Sequence, residues 1–375
     1  MKLTIVSHAY AVPENRTIWQ QLAALHPEYQ VTVIIPAHWS TDRYGPQVTY
    51  TPESEQRANY EVLPLPLSQG RFRHYVGLAH MLRERQPDIL YVAQERYDWS
   101  TMLALAACKT RLPCTKTIGG STVNIEYRIR WPHHYLKEKA FFALCNGIVA
   151  MNTEAEKLLR RHGYDRPVLV QHGIGADEAL WKPSSRLNSE QPLRIGFVGT
   201  LAVEKGIADL LAACAGLKGS WQLNLVGDGP ERKSLENLTQ QLGLKEHVVF
   251  AGFVSRKDIA PLFQSWHVLA LPSRTTPTWK EQFGLVLAEA MLSGTAVVGS
   301  DSGAIPEVIG DAGVIFPEGD VAALTRVLQH LADDPAYRQS LAERGRQRAL
   351  QYYSTAALAQ QFSAFCTALV ETKNA

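Results

Sequence analysis

Short apolar runs alternate with amphipathic segments along this chain, and no other feature constrains its fold as tightly. That alternation builds βαβ units around a mostly parallel sheet. In the first half the expected strands are Leu3–Ser7, Val31–Pro36, Tyr60–Leu65, Ile89–Ala93, Thr115–Ile118, Gly147–Met151 and Val168–Gln171. Helical periodicity fills most of the intervals, at Asn15–Leu25, Tyr75–Gln86, Ser100–Cys108, Tyr135–Cys145 and Glu154–His162. Ala37–Asn59 is polar and turn-rich and reads as an irregular surface excursion.

Trp181–Pro192 has proline, serine and charge but no periodicity, as a linker should. A second alternation then begins, with strands expected at Leu193–Val198, Gln222–Val226, His247–Ala251, Val268–Leu271, Ala296–Gly299 and Val314–Phe316. Helices are expected at Glu204–Cys214, Pro230–Leu242, Phe283–Ser293 and Ala322–Ala332, then Ala336–Gln351 and Thr355–Glu371. At 375 residues the chain exceeds one ordinary core. The expected fold is α/β: two doubly wound, Rossmann-like domains facing across a cleft, at residues 1–180 and 181–354, with 355–375 as a closing helix. Ligands in such folds sit at the carboxyl ends of the strands.

A net charge of +2 gives no global field to attract nucleic acid. Cys108, Cys114, Cys145, Cys214 and Cys366 are scattered without a C-x-x-C pair, which suits reduced thiols rather than a disulfide framework or zinc site. The opening MKLTIVSHAY is too short in apolar length for a signal peptide, and no run approaches the ~20 apolar residues that span a bilayer. A cytoplasmic location is therefore expected.

Four strand-to-helix junctions in the second half carry glycine where backbone must approach something closely. Gly199 ends the first strand, Thr200 follows it, and Lys205 opens the next helix, where a lysine either meets a phosphate or is an ordinary exposed helix-start residue. Gly227-Asp228-Gly229-Pro230 is a tight turn or a ligand loop, with Arg232 standing where a dinucleotide fingerprint needs its third glycine. Phe253, with Val254, could lie against a base or belong to the core. The fourth junction is the most informative. Glu281 precedes a largely apolar helix and Glu289 lies inside it, a burial that requires hydrogen-bond partners. The amides of Phe283, Gly284 and Leu285 at that helix start form an anion site, the alternative being that Glu281 is a helix cap and Glu289 a satisfied core carboxylate.

The strings FVGTLAVEKG, LVGDGPE and EQFGLVLAEAMLSGTAVVGSDSGAIPEVIGDAG resemble the retaining GT-B glycosyltransferases of family 4 over about residues 193–317. The variant WKEQFG with SDSGAIPEVIG looks like a subgroup tied to bacterial surface-polysaccharide assembly. The resemblance implies a sugar transferred from a nucleotide-diphosphate sugar, UDP- or GDP-linked, to a glycan or lipid-linked acceptor. It implies that Glu289 holds the ribose, Lys205 the diphosphate, and Glu281 with the Phe283–Leu285 amides the sugar. Gly199 gives room, and Phe253 and Val254 border the base. Many relatives carry arginine where Thr200 stands, which leaves Arg274 as the candidate substitute cation. In the resembled fold the last helix crosses back onto the first domain, so ending the chain at Ser354 should loosen the interdomain arrangement.

The first domain should hold the acceptor. His8, Glu95, Gly119 and Gly120 fall at expected strand ends, as site residues or as ordinary loop surface. A histidine often ends the strand that here reads Thr117-Ile118-Gly119-Gly120. Arg128–Lys139 mixes Arg, Lys and Trp, a composition for resting on anionic lipid at the inner face of the membrane or for a solvated helix face. The chain has no Asp-x-Asp triplet, so neither metal nor other cofactor is expected, and Asp333-Asp334 reads as helix capping. Two rivals stand beside the transferase: a nucleotide-sugar epimerase of the same fold, and a non-catalytic nucleotide-sugar-binding component.

Overall fold

In a computed structural model, the structure describes residues 1–41, 45–49, 57–70, 72–126, 132–172, 174–183 and 192–371. The chain forms two compact units, Met1–Gly175 with Thr355–Ala375, and Ala176–Ser354.

The first unit runs β1 (Lys2–Val6), α1 (Thr17–Leu25), β2 (Gln30–Pro36), β3 (His38–Thr41), β4 (Gly45–Thr49), β5 (Tyr60–Leu65), α2 (Leu78–Arg85), β6 (Ile89–Val92), α3 (Trp99–Arg111), β7 (Lys116–Ser121), α4 (Pro132–Leu144), β8 (Gly147–Ala150), α5 (Thr153–Arg161) and β9 (Val168–Val170). Its parallel sheet has the order β5-β2-β1-β6-β7-β8-β9. Both faces are apolar, because alternate residues point to opposite sides of a strand. Leu3, Ile5, Val31 and Val33 join one core with Trp19 and Leu22 of α1, while Val6 and Ile34 join the other with Leu82, Leu105 and Phe141. The segment expected to be irregular contains the antiparallel β3–β4 hairpin.

The second unit runs β10 (Leu193–Val198), α6 (Ile207–Ala215), β11 (Trp221–Val226), α7 (Arg232–Gln241), β12 (Val248–Gly252), α8 (Arg256–Phe263), β13 (Val268–Leu271), α9 (Leu285–Leu292), β14 (Ala296–Ser300), α10 (Ile305–Ile309), β15 (Val314–Phe316), α11 (Val321–Asp333) and α12 (Pro335–Tyr352). The parallel sheet order is β12-β11-β10-β13-β14-β15, the doubly wound arrangement with its strand-order switch between β10 and β13. The unit starts at Ala176, ahead of the expected boundary at 180, because Ala176 bridges Ser354 and Trp181 is buried edge-on against Phe263. Asp334 caps α12 by accepting from the Tyr337 amide.

The closing helix α13 (Thr355–Glu371) belongs to the first unit. It lies along α1, where Phe362 meets Trp19 at a ring separation of 5.0 Å and Tyr29 Oη lies 2.8 Å from Ser363 Oγ. Among the described residues no helix is long and apolar enough to cross a membrane.

Candidate active site

The switch point of the second sheet gathers the residues singled out at its junctions. After β10 a one-turn 3-10 helix, Val203–Lys205, precedes α6. Gly206 then turns the chain at φ +65°, and a Cβ there would fall 1.9 Å from the Pro272 carbonyl oxygen. The absent side chain lets this turn close onto the end of β13. Lys205 is consequently carried to Glu281: its Nζ donates to Oε2 at 2.8 Å, and Ser273 Oγ donates to the same oxygen at 3.0 Å. Glu281 is nearly buried, a position a carboxylate tolerates when charged and polar partners meet it. The Lys205 ammonium also stands 4.4 Å from the centroid of the Trp279 ring.

Gly284 is the N-cap of α9 and Phe283 is buried with its ring edge-on to Tyr353. The Leu287 amide donates to the Gly284 carbonyl at 2.8 Å, while the amide of Leu285, at the first helical position, lies ahead of any acceptor the helix can offer, and the helix start favours negative charge. Glu289 sits one level deeper, 5% exposed, with Arg256 donating to its Oε1 at 2.7 Å. Burial pushes the Glu289 carboxyl up, and the Arg256 guanidinium opposes that shift. Gly199 and Gly227 pack backbone to backbone; a Cβ on Gly227 would lie 1.9 Å from the Gly199 oxygen. Thr200 is exposed beside them. Phe253 is 82% exposed, so its core alternative fails, and Val254 next to it is half-buried.

Arg274, the expected substitute cation, is held bidentately by Asp209 at 2.6 and 2.5 Å, as Lys205 is held by Glu281. Arg256, which no junction motif marks in the sequence, is the cation set against a site carboxylate. Its helix, α8, is absent from the expected elements because Pro261 interrupts the helical pattern. The signal lies in Ser255-x-x-Asp258, a capping pattern in which the Ser255 hydroxyl accepts from the Asp258 amide.

In the first unit, β1 and β6 flank the corresponding switch point. A cavity of about 440 Å³ lies there, lined by His8, Arg73, Gln94, Asp98 and Trp99 among others. Gln94 Nε2 lies 2.9 Å from His8 Nδ1, and Ser100 Oγ donates to Gln94 Oε1 at 2.9 Å. Burial pushes the His8 imidazolium toward the neutral form, with Asp98 opposing. Gln94 is thus the cavity residue of this strand end, in place of its charged neighbour Glu95. Glu95 instead accepts from the Thr122 amide at 3.3 Å and from its hydroxyl, and burial raises its carboxyl. Gly119 and Gly120 are buried within the sheet. A Cβ on Gly119 would collide with Phe141 at 2.4 Å, and one on Gly120 would crowd the Gln94 carbonyl at 3.1 Å. Arg128, Arg130 and Trp131, of the stretch suited by composition to lipid contact, lie outside the described residues.

Two Rossmann-like units with ordered polar groups at their switch points define the GT-B fold class. Similar folds are sucrose-phosphate synthase of Thermosynechococcus elongatus (TM-score 0.73, 19% identity, 99% of this chain and 100% of that one) and the Anabaena protein HepE in complex with UDP and glucose (TM-score 0.68, 19% identity, 98% and 100%). Residues 178–348 match Glycosyl transferases group 1, and residues 15–178 match Glycosyltransferase Family 4. The chain is 33% identical over 308 residues to the 2-deoxystreptamine glucosyltransferase of Streptomyces kanamyceticus, covering 73% of this chain and 78% of that protein. Other curated relatives, among them a kanosaminyltransferase of the same organism, are matched over less than half of their length. The chain belongs to the group 1 glycosyltransferases of family 4, and it is a glycosyltransferase.

Proposed function

We propose that this glycosyltransferase takes its sugar from a nucleotide-diphosphate sugar held by the second unit and transfers it with retained anomeric configuration, without a metal ion. The observation that carries the reading is the Lys205–Glu281 pair beside the start of α9, at the strand-order switch. An ammonium and helix amides suit a diphosphate; a buried carboxylate suits sugar hydroxyls. Glu289, deeper and beside the loop bearing Phe253, suits the ribose diol. That HepE, of the same fold, is seen with UDP and with UDP-glucose supports this donor class.

The chemistry follows from that placement. The bond from the anomeric carbon to the diphosphate oxygen breaks, and the acceptor oxygen bonds to that carbon on the same face. The acceptor's proton passes to the departing phosphate oxygen. Lys205 and the α9 amides offset the charge that develops there, so the protein contributes positioning and electrostatics rather than a covalent nucleophile.

A glycan or lipid-linked acceptor, used in surface-polysaccharide synthesis, is the proposed partner for the first unit. Exposed Tyr135 and Leu136 on α4 support peripheral contact with a cytoplasmic membrane face, although the ammonium groups of Lys137 and Lys139 on the same helix turn inward to the Tyr97 and His162 carbonyls.

A thermal-shift screen over UDP-, GDP- and ADP-sugars tests the donor class, since a ligand at 100 times its dissociation constant stabilises by about 2.7 kcal/mol. The stabilising donor is then incubated with acceptor extracts. Nucleotide release coupled to a new glycoside supports the proposal. Isomerised free sugar without acceptor identifies an epimerase instead, and stabilisation without turnover identifies a binding component.

A further inference from the structure

The donor-site carboxylate Glu289 has a dedicated cation. It lies on α9 with its side chain 7% exposed, and Arg256, from the first turn of α8, reaches across to its Oε1 at 2.7 Å. Arg256 lies three residues beyond the exposed Phe253, so one short segment carries both the aromatic and the cation. A carboxylate offers about four acceptor positions, and this guanidinium occupies one, leaving capacity for a diol.

The other charged groups on elements packed against α9 are engaged elsewhere. On α12, Arg346 donates to the Leu292 carbonyl, and Arg348 donates to the carbonyls of Val308 and Glu307. On the same helix Arg338 donates to the Leu331 carbonyl, Arg344 to the Asp311 carbonyl, and Glu343 accepts from Gln339, while Lys205 is paired with Glu281. Among the described residues, Arg256 is the charged group acting on Glu289.

We propose that Arg256 is a positioning residue of the donor site, aiming the Glu289 carboxylate at the nucleotide's ribose diol and holding it in its charged form. The proposal rests on the reading of Glu289 as the ribose anchor. Burial alone drives Glu289 toward the neutral acid, which would donate one hydrogen bond and lose its charge-assisted acceptance. Arg256 opposes that drift. Its removal raises the Glu289 pKa further, so the acid form persists to higher pH, and ribose binding weakens on the acid side while recovering as pH rises.

The test is calorimetric titration of full-length wild type, Arg256→Gln and Arg256→Lys from pH 5.5 to 8.5. The probe is whichever of UDP, GDP or ADP binds the wild type, together with its 2′-deoxy form. Arg256→Gln is expected to bind the ribonucleotide about tenfold more weakly at the acid end and to regain affinity toward the alkaline end. Arg256→Lys should follow the wild type within about threefold. Wild-type affinity in Arg256→Gln at every pH, or one uniform loss across the range, overturns the proposal. The ribose reading fails separately if the wild type binds ribo and 2′-deoxy forms alike, or if Glu289→Gln leaves ribonucleotide affinity unchanged.

Discussion

Lys205 Nζ lies 2.8 Å from Glu281 Oε2, a contact between residues 76 apart in sequence. The two side chains come from the loops after β10 and β13, neighbouring strands on either side of the strand-order switch. In the free protein each neutralises the other. In the proposed donor complex the ammonium turns to the diphosphate and the carboxylate to the sugar.

Replacing Lys205 by Met should therefore lower turnover by ~10²–10³-fold, the usual consequence of removing one electrostatic group from a transition state. Steady-state kcat at saturating donor checks it. A loss confined to KM would place Lys205 in ground-state binding alone.

Gly206 lets that pair form, and its substitution should act through the fold. Gly206→Ala puts a Cβ 1.9 Å from the Pro272 oxygen at φ +65°. A loss of about 2 kcal/mol or more in denaturant unfolding is expected, because left-handed strain and a backbone collision add. A change below about 0.5 kcal/mol would mean that the turn moves freely.

The closing helix yields a different expectation from the one the family resemblance implies. Leu358, Phe362, Cys366 and Leu369 are core residues of the first unit, beside Trp19 and Tyr91. Burial of a large apolar side chain is worth about 1.5–3 kcal/mol, so removing these approaches the 5–15 kcal/mol that holds a domain folded. Ending the chain at Ser354 should unfold the first unit while the second retains its own transition. Differential scanning calorimetry reads this directly; an unchanged melting profile would contradict it.

Much of this architecture is legible in the residues. Runs such as Ile89–Val92 and Val268–Leu271 are apolar on both faces, which only a sheet covered by helices on each side requires. Glu289 stands out because a carboxylate inside LVLAEAML needs a partner. The partner itself is hidden, since Arg256 and Glu289 are 33 residues apart and no local periodicity joins them. Gly119 misleads for the same reason. A glycine at a strand end looks like room for a ligand, whereas here the space belongs to Phe141. The segment after Pro36 reads as irregular because turn residues dominate it, although its backbone pairs as a hairpin.

Metal independence is the next expectation. Lys205 and the start of α9 supply positive potential where the diphosphate is proposed to sit, though a helix start alone contributes about 0.3–2 kcal/mol. Turnover after exhaustive EDTA dialysis should match that with added magnesium or manganese. Activity that vanishes with the chelator and returns with metal would overturn the phosphate clamp proposed for Lys205.

The most direct test of the donor site compares two carboxylates by calorimetry, using the free nucleoside diphosphate and its sugar conjugate. Glu289→Ala should bind both ligands more weakly, by about 1.5–3 kcal/mol, because the ribose is common to them. Glu281→Gln should bind the sugar-free nucleotide like the wild type and lose turnover with the conjugate. Unchanged nucleotide affinity in folded Glu289→Ala, or equal losses for both ligands in Glu281→Gln, would contradict the account.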